Sequence, residues 1–451
     1  MSFKLPGKCY IMTQSLNFRT ERRLMRRFRP HLVLALAGIV IASAAAEGAD
    51  VGPTYALINL KVVPVSGPIL EKGTIIVRDG LVEAVGPAGK ITIPEDAEIV
   101  DGEGLTAYPG LISAHTNLFL EEAASPARPQ SPAEFAAAVA PPSPPDQPGH
   151  EVFDQLKPKK ASIDGFLKAG ITTVLVAPGR GIFQGQSVLL NLNGEEAGPM
   201  VVRNPVALHL NFTTARGSYP SSLMGTIAYI RQKFYDAVHG ATVRAVYAKN
   251  LKGMKRPAYD PFAMALVPFV RDKRPVVFQC NNREEIKRAL TIIEEFKLNG
   301  WLSHANEAWR EADLLKKTKL PLLVTLDARP PRSSLYVNQG EDLRKKAEAE
   351  IYPANAANLA KSGVPFALTS LGLADGPAFL KAVQAAIKAG LSREDALRAL
   401  TIRPAEYLGV AAELGTLEAG KIANIVLAKG DLFDEKTEIV RVFVDGVPAK
   451  F

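Results

Sequence analysis

Few side chains in this sequence can carry chemistry, and their positions narrow what that chemistry is. Six histidines occur in 451 residues, at positions 31, 115, 150, 209, 239 and 304. Imidazole is the side chain best suited to proton transfer near neutral pH and to binding transition metals. His115 ends the apolar run Leu111 to His115, and His304 ends Trp301 to His304, with Glu307 three residues further on. His209 sits inside Val206 to Leu210. Short apolar runs of this kind read as buried strands, which places these three on strands or at strand ends. His150, beside a proline-rich segment, reads as exposed, and His239, after the amphipathic stretch Ile227 to Val238, as a residue near a helix C-terminus, where the dipole favours it. With only Cys9 and Cys280, a disulfide scaffold and a cysteine-only metal site are both excluded, and Cys280 reads as a small buried hydrophobe.

The elements that must position these residues follow a simple order. Apolar residues at 47% and charged residues at 22% are those of a globular protein. Ala56 to Val63, Gly73 to Val77, Leu81 to Val85 and Glu98 to Val100 read as strands, and Asp79-Gly80 is a hairpin signal because that turn needs positive φ. Ile425 to Ala428, Ile439 to Val444 and Asp445-Gly446 repeat the style at the other end. Between them strands alternate with helices. The strand candidates are Leu111 to His115, Thr172 to Val176, Val206 to Leu210, Arg244 to Ala248, Pro275 to Cys280, Trp301 to His304, Leu322 to Leu326 and Pro365 to Thr369. Residues 284–297 carry Ile286, Leu290, Ile293 and Phe296 on one helical face, and Ser392 opens a helix with a capping-box start. The pattern is α/β: a (β/α)8 TIM-type barrel plus a small β-sandwich domain built from both ends of the mature chain. The expected boundaries are 53–106 plus 413–451 for the β domain and 107–412 for the barrel. A proline-rich insertion at 123–149, with eight prolines, interrupts the barrel.

The net charge of +8 is concentrated at the start. Residues 1–46 hold eight basic side chains and one acidic, then the apolar run Leu32 to Ala42 and the small residues Ser43 to Ala46. That is the three-part form of a secretory signal peptide, with cleavage expected after Ala46. Its loss leaves 46 basic against 45 acidic residues. Export to the periplasm or the medium is therefore expected. A membrane role is expected only through an uncleaved leader, and no nucleic-acid partner.

Five segments, in order, resemble the amidohydrolase superfamily, and within it the imidazolonepropionase-like metal-dependent hydrolases. They are the hairpin from Gly73 to Gly86, the strand from Tyr108 to His115, Ala169 to Val174, Leu391 to Leu408 with Thr401 to Ala405 inside it, and the return from Gly415 to Lys421. The likeness covers nearly all of residues 54–451. It implies hydrolysis of a carbon–nitrogen bond in a non-peptide amide or dipeptide, with a divalent cation that brings the pKa of bound water to about 7. The implied machinery is a His-x-His pair on the first barrel strand, histidines on the fifth and sixth, and a catalytic aspartate on the eighth.

Against that pattern the sequence departs. The first strand ends His115-Thr116-Asn117, the fifth offers Gln279 and Asn281, the sixth keeps His304, and the eighth has Ser370 and Leu371 where the carboxylate belongs. Carboxamides are poor zinc ligands beside imidazole, and two histidines fall short of the three protein ligands of a catalytic zinc site. The expectation is a degenerate metal site with His115 and His304 as its residue, no cofactor, and no assigned catalytic residue. Asn117, His209, Gln279, Asn281, Glu307 and Ser370 are candidate pocket residues. The functional expectation is an impaired amidohydrolase-like protein that binds a small-molecule ligand or pairs with a second copy or an active homologue. The alternative is an active enzyme with a rebuilt mononuclear site holding one divalent metal, zinc first.

Overall fold

The computed structural model describes residues 52–120, 146–215, 219–327 and 352–451. The leader 1–46 and most of the proline-rich insertion lie outside the described residues. Along the chain come β1 (Tyr55–Val62), β2 (Leu70–Arg78), β3 (Leu81–Pro87), β4 (Glu98–Asp101) and β5 (Thr106–Pro109). Then follow β6 (Leu111–Thr116), α1 (Lys160–Leu167), β7 (Ile171–Val176), β8 (Phe183–Gln186), β9 (Val188–Asn191), α2 (Ala197–Met200), β10 (Val201–Arg203) and β11 (Leu208–Asn211). Next are α3 (Leu223–Lys249), α4 (Pro261–Arg271), β12 (Pro275–Cys280), α5 (Arg283–Phe296), β13 (Asn299–His304), α6 (Ala312–Thr318) and β14 (Leu322–Thr325). The chain closes with α7 (Asn355–Lys361), β15 (Ala367–Thr369), α8 (Gly376–Lys388), α9 (Arg393–Leu400), α10 (Ile402–Leu408), β16 (Ile425–Lys429), β17 (Glu438–Val444) and β18 (Val447–Pro448).

Strands from both ends make one sheet, in the order β18-β17-β16-β5-β1-β2-β3, with β4 beside β1. Its two hairpin turns carry Asp79 and Gly80 at φ 50° and 79°, and Asp445 and Gly446 at 50° and 75°, the left-handed backbone that this turn type requires.

The middle of the chain forms a four-stranded sheet, β10-β9-β7-β6, and a six-stranded sheet, β15-β14-β13-β12-β11-β8. β6 and β7 are parallel, as are β11 to β15 throughout. Two edges come together where the Ser370 amide, just past β15, donates to Ser113 Oγ on β6 at 3.0 Å. Elsewhere Ser187 joins β8 to β9 and exchanges backbone hydrogen bonds with Ala207 and Val206 ahead of β11.

Two strand expectations need correction. Arg244 to Ala248 is not a strand but the last part of the 27-residue helix α3, and His239 lies inside that helix rather than after it. A five-residue run with one valine and one tyrosine cannot separate the two states, and the continuous 3.6-residue pattern from Leu223 decides for helix. The segment β8–β9 is the strand that went unread, and it runs antiparallel to both β7 and β11. The helix expectations at 284–297 and after Ser392 correspond to α5 and α9, and the Ser392 side chain accepts from the Asp395 amide.

Side chains alternate across these sheets with a period of two. One face carries an apolar layer in which Ala114, Val277, Trp301, Leu323 and Ala367 pack together. Two residues further along β12, β13, β14 and β15, on the same face, stand Gln279, Ser303, Thr325 and Thr369, all buried. His209, two residues after the apolar Ala207, occupies the corresponding place on β11. A polar layer thus rests on an apolar one at the C-terminal ends of the parallel strands.

Candidate functional site

Three histidines meet in that polar layer. The His115 ring centre lies 5.0 Å from that of His209 and 6.0 Å from that of His304, both edge-on. Departures from regular strand geometry bring the outer two in. The β6–β7 register shifts between Ser113 and Thr116, and His304 and the following Ala305 have φ of 67° and 49°. His115 Nδ1 is 2.7 Å from Ser303 Oγ, which ties the ring on β6 of the four-stranded sheet to β13 of the six-stranded one.

Electrostatics keep the cluster uncharged. Burial pushes His115 well below the ordinary histidine range, with His209 and His304 adding repulsion. His209 falls to about 3, from burial and then from His304. His304, partly exposed at its rim, falls to about 4 through burial, against a smaller upward pull from Asp327. Each ring is therefore neutral at pH 7 and offers one N–H donor and one lone pair.

Several polar atoms here are buried without a hydrogen-bond partner: both ring nitrogens of His209, Nδ1 of His304, Oγ1 of Thr369 and Oε1 of Gln184. Gln184 Nε2 donates to Gln279 Oε1 at 3.4 Å, which turns the Gln279 amide toward another amide. Unsatisfied buried polar atoms cost about 1–3 kcal/mol each, so a layer this rich in them is a place for a polar occupant.

The remaining sequence candidates are dispersed. Ser370 Oγ lies 2.8 Å from Ser113 Oγ, so the two hydroxyls face each other where β15 meets β6. Asn281 donates its amide Nδ2 and its backbone N–H to Glu285 Oε2, which ties it to the first turn of α5. Glu307 is buried and accepts from the Arg283 amide at 3.0 Å and from the Tyr352 hydroxyl at 3.4 Å. Asn117 is exposed just past β6. His150 is half-buried rather than exposed, and its Nε2 is enclosed without a partner, because the chain folds back to pair Gln186 N with His150 O. Cys280 is fully buried, and burial pushes its thiol well above the usual range, so it is inert.

Asp327 is a further residue at the site. It follows β14, its charge reaches His304, and a Cβ on Gly372 would stand 2.6 Å from its Oδ2. Gly372, at φ 83°, lets the loop after β15 pass close to this carboxylate. The rest of the Asp327 to Arg332 stretch lies outside the described residues. The polar layer had a legible signal: Gln279, Ser303, Thr325 and Thr369 each stand two residues after an apolar one in successive strands.

Two imidazoles on one tetrahedral ion have ring centres roughly 5 Å apart, given metal–nitrogen distances of 2.0–2.1 Å. The separations of the histidines are of that size, yet among the described residues no three His, Cys, Asp or Glu side chains are arranged to hold a metal ion.

Comparison with known proteins gives the context. Residues 284–449 match the model of the Amidohydrolase family. A 5-methylthioadenosine/S-adenosylhomocysteine deaminase of Moorella thermoacetica is 40% identical over 57 residues, which span 12% of this chain and only 13% of the deaminase. An imidazolonepropionase of Mesorhizobium japonicum is 25% identical over 388 residues, covering 80% of this chain and 87% of that enzyme. The crystal structure of an amidohydrolase from Thermotoga maritima MSB8 superposes with a TM-score of 0.72 at 26% identity, covering 88% of this chain and 99% of that one. The family match, the full-length likeness and the strand-end histidines agree: the chain belongs to the amidohydrolase superfamily.

Proposed function

We propose that this chain is an amidohydrolase-like protein whose carbon–nitrogen-hydrolysing centre has been dismantled, leaving a polar pocket for a small neutral ligand or a scaffold for a homologous subunit. In this reading the two central sheets are one (β/α)8-type barrel, joined at Ser113 and Ser370 and carrying an antiparallel segment at β8–β9. The sheet from both chain ends is its small β domain. The leader 1–46 directs export.

The polar layer carries the proposal. Members of the family are usually metal-dependent, but the residues here do not fit that group. Gln279 stands on β12 where the family's histidine is expected, Ser370 pairs with Ser113 where its aspartate is expected, and His115 Nδ1 is taken by Ser303. What remains is a buried array of neutral donors and acceptors with unmet hydrogen bonds, suited to an uncharged polar molecule.

The test is metal analysis of the purified protein, with turnover assays on cyclic amides and dipeptides. Substoichiometric metal and no metal-dependent turnover are expected. One tightly held equivalent of zinc, manganese or iron, with activity lost on chelation, would overturn the proposal. One observation favours a second reading, a rebuilt mononuclear site: the free nitrogens of His209 and His304 stand beside His115. That reading requires His304→Ala to abolish both the bound metal and a measurable amidase or dipeptidase activity.

A further inference from the structure

Positive charge is not evenly spread over the described chain. From 237 to 259 there is no aspartate or glutamate, while Arg244, Lys249, Lys252, Lys255 and Arg256 fall within 13 residues. They occupy the last turns of α3 and the loop that leads to α4. Residues 248–256 are all exposed. No salt bridge engages these five cations among the described residues. The flanking acids are committed elsewhere: Asp236 accepts from Gln232, and Asp260 caps α4 by accepting from the Ala263 amide. The carbonyl end of α3 further favours cations at this place.

Large apolar side chains stand among the cations instead of packing inward. Leu251 is 64% exposed and Tyr259 72%. Val246 and Met254 are exposed as well. The loop is not a loose strand of chain. Arg244 donates to the Ala258 carbonyl at 2.8 Å and lies 5.5 Å from the centre of the Tyr259 ring, which folds the loop back on the helix. Val246 continues upstream onto an exposed stripe of α3, with Val238 eight residues before it on the same helical face.

We propose that residues 244–259 form a peripheral docking surface for an anionic phospholipid bilayer. Lysine and arginine heads would meet the lipid phosphates while Leu251, Met254 and Tyr259 enter the headgroup layer, the pairing of charge and apolar contact that interfacial segments use. An acidic protein partner would satisfy the cations but gives no reason for bulky apolar side chains to stand between them. No described helix is long and apolar enough to cross a membrane. Attachment here is to the surface.

The test is co-sedimentation of the full chain with phosphatidylcholine vesicles, with and without phosphatidylglycerol. Binding should require phosphatidylglycerol and weaken at high salt. The triple variant K252Q/K255Q/R256Q, which keeps residues 1–46 unchanged, should lower the partition coefficient on the order of 100-fold, at about fivefold per cation. A change within twofold would overturn the proposal, as would no vesicle binding by the unaltered chain. Because the basic leader also attracts anionic lipid, a second measurement reads the loop itself. An environment-sensitive dye on C9S/M254C should shift to the blue with phosphatidylglycerol vesicles, and an unshifted spectrum would reject insertion at this site. All the altered residues except Cys9 are exposed described residues, so thermal melting should be unchanged and serves as the folding control.

Discussion

Two buried polar clusters, one at the N-terminal end of β7 and the other at the C-terminal ends of β6, β11 and β13, are built on opposite principles. At the N-terminal end, Thr173 of β7, Asn191 of β9, Asn424 and Asp445 form a closed network. Thr173 Oγ1 donates to Asn191 Oδ1 at 2.7 Å, and Asn424 Nδ2 reaches both Thr173 Oγ1 and Asn191 Oδ1. Asn191 Nδ2 donates to Asp445 Oδ1 at 2.6 Å, and the Asp445 amide donates back to Asn424 Oδ1. Burial raises the Asp445 carboxyl, and the amides of Asn191 and Asn193 pull it back. At the C-terminal end, His209 has no partner for either nitrogen and His304 none for Nδ1. A satisfied network joins the terminal sheet to the central one and adds stability. An unsatisfied one costs stability and is kept where something else is bound, or where an ancestral site has lost its partner.

This contrast can be broken experimentally, beginning with the largest effect. His209 and His304 have folded-state pKa values of about 3 and about 4, below the 6.5 of an unfolded histidine. Because the folded values are depressed, the stability is fully present above pH 6.5 and is lost as pH falls toward 3–4, where these groups protonate in the folded state. At pH 5 the two should together cost about 4 kcal/mol relative to pH 7.5. Denaturant titrations at the two pH values would measure it, and a flat profile would contradict the neutral cluster.

Next in size is Asn424→Ala. It orphans Thr173, Asn191 and the Asp445 amide at once, and should cost about 3 kcal/mol, read as a lower denaturation midpoint. His209→Leu should act in the opposite direction. Removing two buried, unpaired nitrogens in favour of an apolar side chain should stabilise the protein by about 1 kcal/mol and remove roughly half of the pH dependence assigned to His209 and His304. A destabilisation of the same size would show that His209 is held by an occupant.

The smallest effect concerns the metal. Gln279→His with Ser370→Asp restores two donor types of the family and should raise zinc affinity about tenfold over the unaltered chain, measured by competition with a chelating dye. Equal affinities would mean that the backbone, rather than the side chains, sets the limit.

Much of this was legible in the residues. The Asp-Gly hairpins, the amphipathic stripe that became α5, and the short apolar runs ending in His115 and His304 are local signals, set by φ preferences and by the period of burial. That Gln279 and Ser370 stand where the resemblance implies metal or catalytic side chains is an expectation that needs only the sequence. Arg244 to Ala248 misled because a run of only five residues suits helix and strand alike. Chain order alone does not reveal the antiparallel β8–β9, since strand direction depends on which neighbours accept its hydrogen bonds.

Sequence by itself thus determined most of the elements and the superfamily pattern, because each depends on residue type at short range. Only the tertiary structure decided that His209 joins His115 and His304, that Asp327 stands beside the loop after β15, and that, among the described residues, no salt bridge engages the cations at the end of α3 and in the loop after it. Those facts join residues up to about two hundred positions apart, and the register of non-neighbouring strands, which no local propensity encodes, sets their distances.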